Sequence, residues 1–338
     1  MRLDVAFDLD FTLCCGQVFR WQKLGDWWYG VVGERAFKVR QFECALEFEN
    51  VSEAFARSYF GLDDDLKEIS GSICKDEFIA AALRRFKGLR IVRQNPWECL
   101  ISFICATYKS IAAIELMLSK LSKKYGEKIS FDGLDFYAFP SVDKLAGASE
   151  VDLKECGLGY RAKYVQGTAQ KISKGSFDLE GLKGLPYLEA KKRLFGLPGV
   201  GLKVADCVLL FSLGKFEAFP VDVWVKRVIL NHYAKHFPDA LVKTLSAHES
   251  LSNTEYEKLN SFGRGYFGKY AGYAQEYLYH RERALALERR AAQLFFGPLD
   301  VVERARHRDA VKPSRKLGVA AEAGESAMGG DEDFLNHV

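Results

Sequence analysis

Residues 194–228, LFGLPGVGLKVADCVLLFSLGKFEAFPVDVWVKRV, decide how this chain folds. A helical pattern closes at Phe195, and the backbone then turns through Leu197-Pro198-Gly199-Val200-Gly201. The apolar run that follows, Val204 to Leu213, is too long and unbroken for an ordinary strand. Two glycines around one apolar residue make a tight hairpin with bare backbone amides, running straight into the next helix. Exposed amides at a helix N-terminus form an anion site that needs no sequence readout and suits a nucleic-acid phosphate. Lys203 falls in the first turn of that helix, and Asp222 arrives about one helix later, at the start of a third.

A chain of 338 residues has room for two or three domains with proper cores. Its 48% hydrophobic and 13% aromatic content describes a globular chain, and a net charge of +3 permits a nucleic-acid partner without demanding one. No stretch of about 20 apolar residues is present to span a bilayer. The start, MRLDVAFDLD, is acidic and alternating, unlike a secretory leader. Neither a membrane partner nor export is expected. Cys14, Cys15, Cys44, Cys74, Cys99, Cys105, Cys156 and Cys207 lie singly or adjacent, mostly in apolar runs, as intracellular thiols do. That points to cytoplasm or nucleoid, or to a nucleus. None has CxxC spacing, against a structural zinc site, and none follows Cys207, which excludes a cysteine-ligated iron–sulfur cluster after the Asp222 helix.

Outward from the hairpin the chain reads as α+β. Residues 4–13 alternate apolar and polar, the pattern of a half-buried strand. Val18–Trp21, Trp27–Val32, Ala36–Arg40 and Ala45–Phe48 follow as short strands of an antiparallel meander. The period turns helical from Val51 to Phe86, and Pro96 opens an apolar helix, Trp97–Ala106. Further helices fit Ile111–Tyr125, Ser141–Ala146, Val151–Cys156, Ala162–Lys174, Tyr187–Phe195, Asn253–Phe262 and Ala271 to about Ala292. From Val311 the chain is rich in Gly, Ala and charge, the composition of a disordered tail. The expected organisation is an N-terminal antiparallel β-sheet domain with helices over 1–88, a mostly α-helical two-lobed body over 89–292 with its hairpin at 194–214, and a tail over 293–338.

Four segments resemble the helix-hairpin-helix (HhH-GPD) DNA glycosylases, and among them the 8-oxoguanine DNA glycosylase/AP lyases. They are Cys15-Gly16-Gln17-Val18-Phe19-Arg20-Trp21; the run from Arg90 to Cys105; Gly157-Leu158-Gly159-Tyr160-Arg161; and LPGVGLKVADC with PVDV in the central stretch. A lone hairpin is a weak signal, but four segments in order over roughly residues 1–285 are specific. The resemblance implies a bifunctional base-excision repair enzyme: it flips 8-oxoguanine out of duplex DNA, excises it through a Schiff base, and cleaves the abasic site by β-elimination. Its partner would be double-stranded DNA containing oxidised guanine, met as a monomer. No redox cofactor and no catalytic metal are implied, and a structural monovalent cation at the hairpin carbonyls stays open.

The resemblance assigns roles that the residues alone leave ambiguous. Lys203 would be the nucleophile, since attack at C1′ needs an uncharged amine and the positive end of a helix favours one. By itself it reads as a phosphate-binding lysine. Asp222 would stabilise the positive charge that develops on the sugar, or simply cap the next helix. Gly16 would present a carbonyl that accepts from the N7 hydrogen of 8-oxoguanine and repels the N7 lone pair of guanine. Gln275 would bond the Watson–Crick edge of the flipped base, with Tyr279 at i+4 against one face and Cys207 against the other. Without the match these three are core residues. Gly199, Gly201 and Val204 would grip the backbone through their amides. Tyr160 and Arg161 would wedge beside the lesion and contact the opposite cytosine. Three positions depart from the family pattern: Tyr108 replaces a hole-filling asparagine, Ala113 a cytosine-reading arginine, and Trp224 a phosphate-contacting histidine. A weaker preference for cytosine opposite the lesion follows.

Other readings compete. Phe7-Asp8-Leu9-Asp10-Phe11-Thr12 mimics the DxDxT signature of Mg²⁺-dependent phosphohydrolases, although no βαβ series follows it. A catalytically silent DNA-binding module would use the hairpin alone. Within the family, another damaged purine is the alternative substrate.

Overall fold

The computed structural model describes the backbone over residues 1–296 and side chains to residue 291. The expectation of a disordered tail falls largely outside those residues. The first element is a helix, α1 (Leu9–Cys14), followed by β1 (Trp21–Leu24), β2 (Trp27–Val32), β3 (Arg35–Phe42) and β4 (Ala45–Glu49). The four strands form one antiparallel sheet in the order β1-β2-β3-β4, as the meander reading anticipates.

The strand expected over residues 4–13 is not there. Asp8 caps α1, its carboxylate accepting from the Phe11 N–H at 2.8 Å, and Leu9, Thr12 and Leu13 are buried at helical spacing. Over so few residues an i, i+2 alternation and an i, i+3, i+4 pattern share most of their apolar positions, and the cap decides between them. Asp10 pairs with Lys23 at 2.7 Å and accepts from Trp28 Nε1 at 2.6 Å. The two aspartates of the phosphatase-like motif are thus a cap and an anchor to the sheet. The strand expected from Val18 begins only at Trp21, whose indole lies across Gly30 on β2: a Cβ there would sit 2.6 Å from the ring. Trp21, Trp28, Phe37, Val39 and Leu46 form the inner face, packed on Phe7, Tyr59 and Phe60.

The helical stretch after the sheet resolves into α2 (Glu53–Tyr59), α3 (Leu66–Ile73) and α4 (Glu77–Arg85), capped by Ser52, Asp65 and Asp76. α5 (Pro96–Cys105) starts at a proline behind an Asn95 cap, and α6 (Ile111–Tyr125) keeps its expected bounds. A hairpin not foreseen from sequence follows, β5 (Lys128–Phe131) and β6 (Leu134–Tyr137). Its turn residues Asp132 and Gly133 have φ of 53° and 72°, the conformation an Asp-Gly hairpin favours. The body continues with α7 (Val142–Gly147), α8 (Glu150–Glu155), α9 (Ala162–Ser173), α10 (Tyr187–Leu194), α11 (Leu202–Phe211), α12 (Val223–His232), the unforeseen α13 (Asp239–Ser246), α14 (Asn253–Phe267) and α15 (Ala271–Phe296). None of the described helices is long and apolar enough to cross a membrane.

Met1–Glu282 forms one compact unit. Fully buried Arg90 stitches its sheet and helical parts together, donating from Nε to Ala6 O at 2.9 Å and from Nη1 to Asp64 O at 3.0 Å. On α15, Tyr273 donates to Asp64 at 3.1 Å and Tyr277 to Leu89 O at 3.1 Å.

Candidate active site

α11 starts at Gly201, which has no side chain to cap it. Helix geometry therefore leaves the amides of its first turn, Val204 included, without an intrahelical acceptor. Nothing lies within 4 Å of where a Gly201 Cβ would be, so the backbone is open to a ligand there. Gly199 has a different constraint: φ is +79°, and a Cβ would meet Tyr164 Cβ at 2.7 Å. The hairpin is fixed to α9 by Thr168 donating to Pro198 O at 2.8 Å and Lys171 to Gly196 O at 2.6 Å.

Lys203, half-buried on α11, holds its ammonium 5.5 Å from the centre of the Phe103 ring on α5. Asp222 is the N-cap of α12, its Oδ1 accepting from the Trp224 and Val225 amides at 3.0 and 2.9 Å. The capping role is therefore real. Both of these amides bond to Oδ1. Desolvation raises the Asp222 pKa, and the nearby Lys203 charge and the two cap amides oppose the rise. Cys207, one turn beyond Lys203, is buried, and desolvation pushes its thiol up to about 12. The Lys203 charge opposes that shift, while Asp206, Asp222 and Glu276 reinforce it. One inert thiol thus feels α11, the start of α12 and α15 together.

Gly16 (φ +91°) and Tyr279 lie against each other: a Gly16 Cβ would sit 3.1 Å from Tyr279 Oη and 3.5 Å from Ile111 Cδ1. Gln275 is 4% exposed, and its Oε1 finds no donor among the described residues. An unpaired buried acceptor costs about 1–3 kcal/mol, a cost a donor on a bound base would remove.

The expected opposite-strand residues divide. Tyr108 is 80% exposed with φ of 52°, and Tyr160 is also exposed. Arg161 is only 3% exposed, donates to Thr107 O, and stacks on Tyr160 at 4.3 Å. Its guanidinium props the loop that displays Tyr108. Ala113 lies in the first turn of α6, its amide capped by Ser110, and Trp224 is half-buried with the Arg227 guanidinium 4.8 Å from its ring.

Sequence reasoning missed two buried carboxylates. Asp206 is fully buried on α11 and bonded to Tyr187 (2.5 Å), Tyr256 (2.6 Å), Asn260 (3.0 Å) and Lys191 (3.1 Å). The signal was available: an acidic residue inside an apolar run is rarely buried unless paired. Glu276, 2% exposed beside Gln275, is a neighbour of Cys15, and with burial it pushes that thiol's pKa well up. Among the described residues no group of three or more His, Cys, Asp or Glu could hold a metal ion.

Residues 2–100 match the 8-oxoguanine DNA glycosylase N-terminal domain, and residues 101–266 the HhH-GPD superfamily of base excision DNA repair proteins. The N-glycosylase/DNA lyase OGG1 of Arabidopsis thaliana is 31% identical over 87% of this chain and 82% of its own length. The chain belongs to the HhH-GPD N-glycosylase/DNA lyase family. Among solved structures, the Clostridium acetobutylicum 8-oxoguanine glycosylase/lyase in its apo form is 34% identical, with a TM-score of 0.74 over 83% of this chain and 97% of its own. The same Clostridium protein bound to double-stranded DNA with cytosine opposite 8-oxoG superposes with a TM-score of 0.76 at 33% identity, over 85% and 98% of the two chains. The glycosylase fold of the relatives is thus the fold of this chain, N-terminal four-stranded sheet included.

Proposed function

We propose that this family member is a bifunctional DNA glycosylase/AP lyase that excises 8-oxoguanine from duplex DNA, with Lys203 as nucleophile. The observation that carries the reading is the convergence of Lys203, Asp222 and Cys207 beside an uncapped helix N-terminus. The hairpin amides at Gly199, Gly201 and Val204 would hold a DNA phosphate. The flipped base would lie among Gly16, Cys207, Gln275 and Tyr279, and the orphan Oε1 of Gln275 would accept from its Watson–Crick edge. The neutral Lys203 amine attacks C1′, the glycosidic bond breaks with its electrons on the base, and Asp222 offsets the positive charge gathering on the sugar. The amine gives up a proton to the departing base, the C1′–O4′ bond then breaks with its electrons on O4′, which takes a proton from solvent, and the protonated Schiff base so formed acidifies C2′; loss of that C2′ proton expels the 3′ phosphate. Asp222 can serve as cap and charge partner at once because an ionised carboxylate keeps its charge while one oxygen accepts the cap amides.

No step requires a redox cofactor or a catalytic metal. At the hairpin, Gly196 O and Pro198 O are taken by Lys171 and Thr168. Leu194 O and Leu197 O each accept one backbone amide, at 3.1 and 3.3 Å, and a carbonyl's second lone pair is a hard donor of the kind a structural monovalent cation takes. Exposed Tyr108 and Tyr160 fit the role of wedges in the hole left by the base. Ala113 offers nothing to read a cytosine, so cleavage opposite all four bases should be comparable. A strong cytosine preference would overturn that part.

Borohydride trapping on an 8-oxoguanine duplex tests the mechanism. The wild type should form a covalent adduct and Lys203→Gln none; an adduct persisting in the variant would remove Lys203 from the reaction. Parallel assays on duplexes carrying other damaged purines separate 8-oxoguanine from the family alternative.

A further inference from the structure

The loop that carries Gly16 is held by side chains outside the base pocket. Gly16 lies between Cys15 and Gln17, both fully buried. Gln17 Nε2 donates to Thr12 O (2.9 Å), Arg90 O (2.8 Å) and Cys15 Sγ (3.1 Å), and its Oε1 accepts from the Val92 amide (2.8 Å). One side-chain amide thereby ties the end of α1 to the segment 89–95. Gln94 supplies the next link. Its Nε2 donates to Gln17 O at 2.7 Å, and its backbone amide donates to the carbonyl of Phe211, the last residue of α11, at 3.0 Å. A continuous path of hydrogen bonds runs from the helix bearing Lys203 and Cys207, through Gln94, to Gln17 and the peptide next to Gly16.

From this path we infer that Gln94 and Gln17 are positioning residues for lesion discrimination, a two-glutamine strut that fixes the Gly16 carbonyl relative to Lys203. The inference rests on the reading of Gly16 as the group that senses the N7 hydrogen. A carbonyl separates a donor from a lone pair only while it is held near hydrogen-bonding distance. A loop free to retreat by about 0.5 Å relieves the repulsion from guanine and weakens the bond to the lesion. Glycine at φ +91° supplies no anchor of its own, so its neighbours must supply one. The site needs N–H donors and a carbonyl acceptor on one side chain, which an amide provides. The Gln17 amide is fully buried with both its nitrogen and its oxygen bonded, which makes that link rigid.

Gln94→Met keeps the length of the half-buried side chain and removes its donors; Gln17→Met does the same at the other link. Three rates or affinities are compared with wild type: single-turnover excision of 8-oxoguanine, strand cleavage at a pre-formed abasic site, and, in a Lys203→Gln background, the binding preference for an 8-oxoguanine duplex over a guanine duplex. Gln94→Met should lower excision and binding preference each about tenfold or more, as misplacement of a contact group does. Cleavage at the abasic site should stay within about twofold, because no base is read there. An unchanged preference, or an equal loss in all three, overturns the strut. If Lys203→Gln protein with an intact loop shows no preference for 8-oxoguanine, the reading of Gly16 fails first, and the strut falls with it.

Discussion

Asp222 carries two demands that pull its pKa in opposite directions. Burial raises it, while the helix amides and Lys203 favour the anion. A carboxyl whose folded pKa lies above its unfolded value stabilises the fold below the unfolded pKa, and that contribution is lost as pH rises through the folded pKa. At neutral pH, ionised Asp222 is therefore a net cost to stability. Asp222→Asn keeps an N-cap of similar quality, so melting should shift upward or not at all, while excision falls about 10²–10³-fold through loss of charge stabilisation. A variant both less stable and fully active would show that the cap is the residue's whole purpose. In the wild type the acid limb of the excision rate should lie above the ordinary carboxylate range, and Asp222→Asn should lack it. Gly16 makes a second case. An alanine there would need φ near +91° and would press its methyl to 3.1 Å from Tyr279 Oη. The backbone strain costs about 1–2 kcal/mol and the contact displaces the carbonyl. Gly16→Ala should lose 8-oxoguanine excision while retaining most cleavage of pre-formed abasic sites, measured side by side; equal retention of both would mean that the loop plays no part in reading the base.

Helices whose ends carry punctuation were legible without coordinates. α12 begins after Asp222 as read, and α6 keeps its bounds from a Ser110 cap to Gly126. The errors fall where the local signal was short or the decisive partner distant. α1 shares its apolar positions with an alternating strand; the β5–β6 hairpin did carry a local signal, Ile129, Phe131, Leu134 and Phe136 alternating around Asp132-Gly133, while the partners that seat it, Tyr29 and Lys38, lie far back in the sequence. One helix turn and one cap bring Lys203, Asp222 and Cys207 into one neighbourhood, which was legible from spacing, while their roles come from the resemblance. The burial of Arg161 was not legible: a sequence shows an arginine in a loop but gives no sign that Thr107 will claim it. Asp206 belongs at this scale too, since it binds α11 to α10 and α14. Removing its charge leaves Lys191, 4% exposed, with Glu257 at 3.2 Å as its one remaining charge partner among the described residues. Asp206→Ala should destabilise by about 3–5 kcal/mol in chemical denaturation. Asp206→Asn should cost less, and adding Lys191→Met to it should recover part of the loss; strictly additive losses would show that the pair does not interact.

The boundary expected near residue 88 is crossed by hydrogen bonds throughout Met1–Glu282. Arg90 reaches back to Ala6 and Asp64; Tyr266 on α14 donates to Asp76 at 3.1 Å; Tyr273 on α15 donates to Asp64; Lys269 pairs with Glu68 at 2.7 Å. The exposed pair contributes little, whereas the buried arginine is committed to backbone carbonyls that would otherwise be left without donors. Function gives the same coupling a purpose, because Gly16 stands on the sheet side of the boundary and Lys203 on the helical side. A joint that flexed would let the carbonyl drift from the amine. The sheet and the helices should therefore unfold as one cooperative unit. Three of the five tryptophans, Trp21, Trp27 and Trp28, lie on β1 and β2, so tryptophan fluorescence weights the sheet. Far-ultraviolet circular dichroism weights the helices. The two denaturant curves should superimpose, and an isolated 1–88 fragment should lack native fluorescence. Separate midpoints, or a fragment that folds, would mean that the boundary is a hinge and that the geometry of lesion reading is set only when DNA binds.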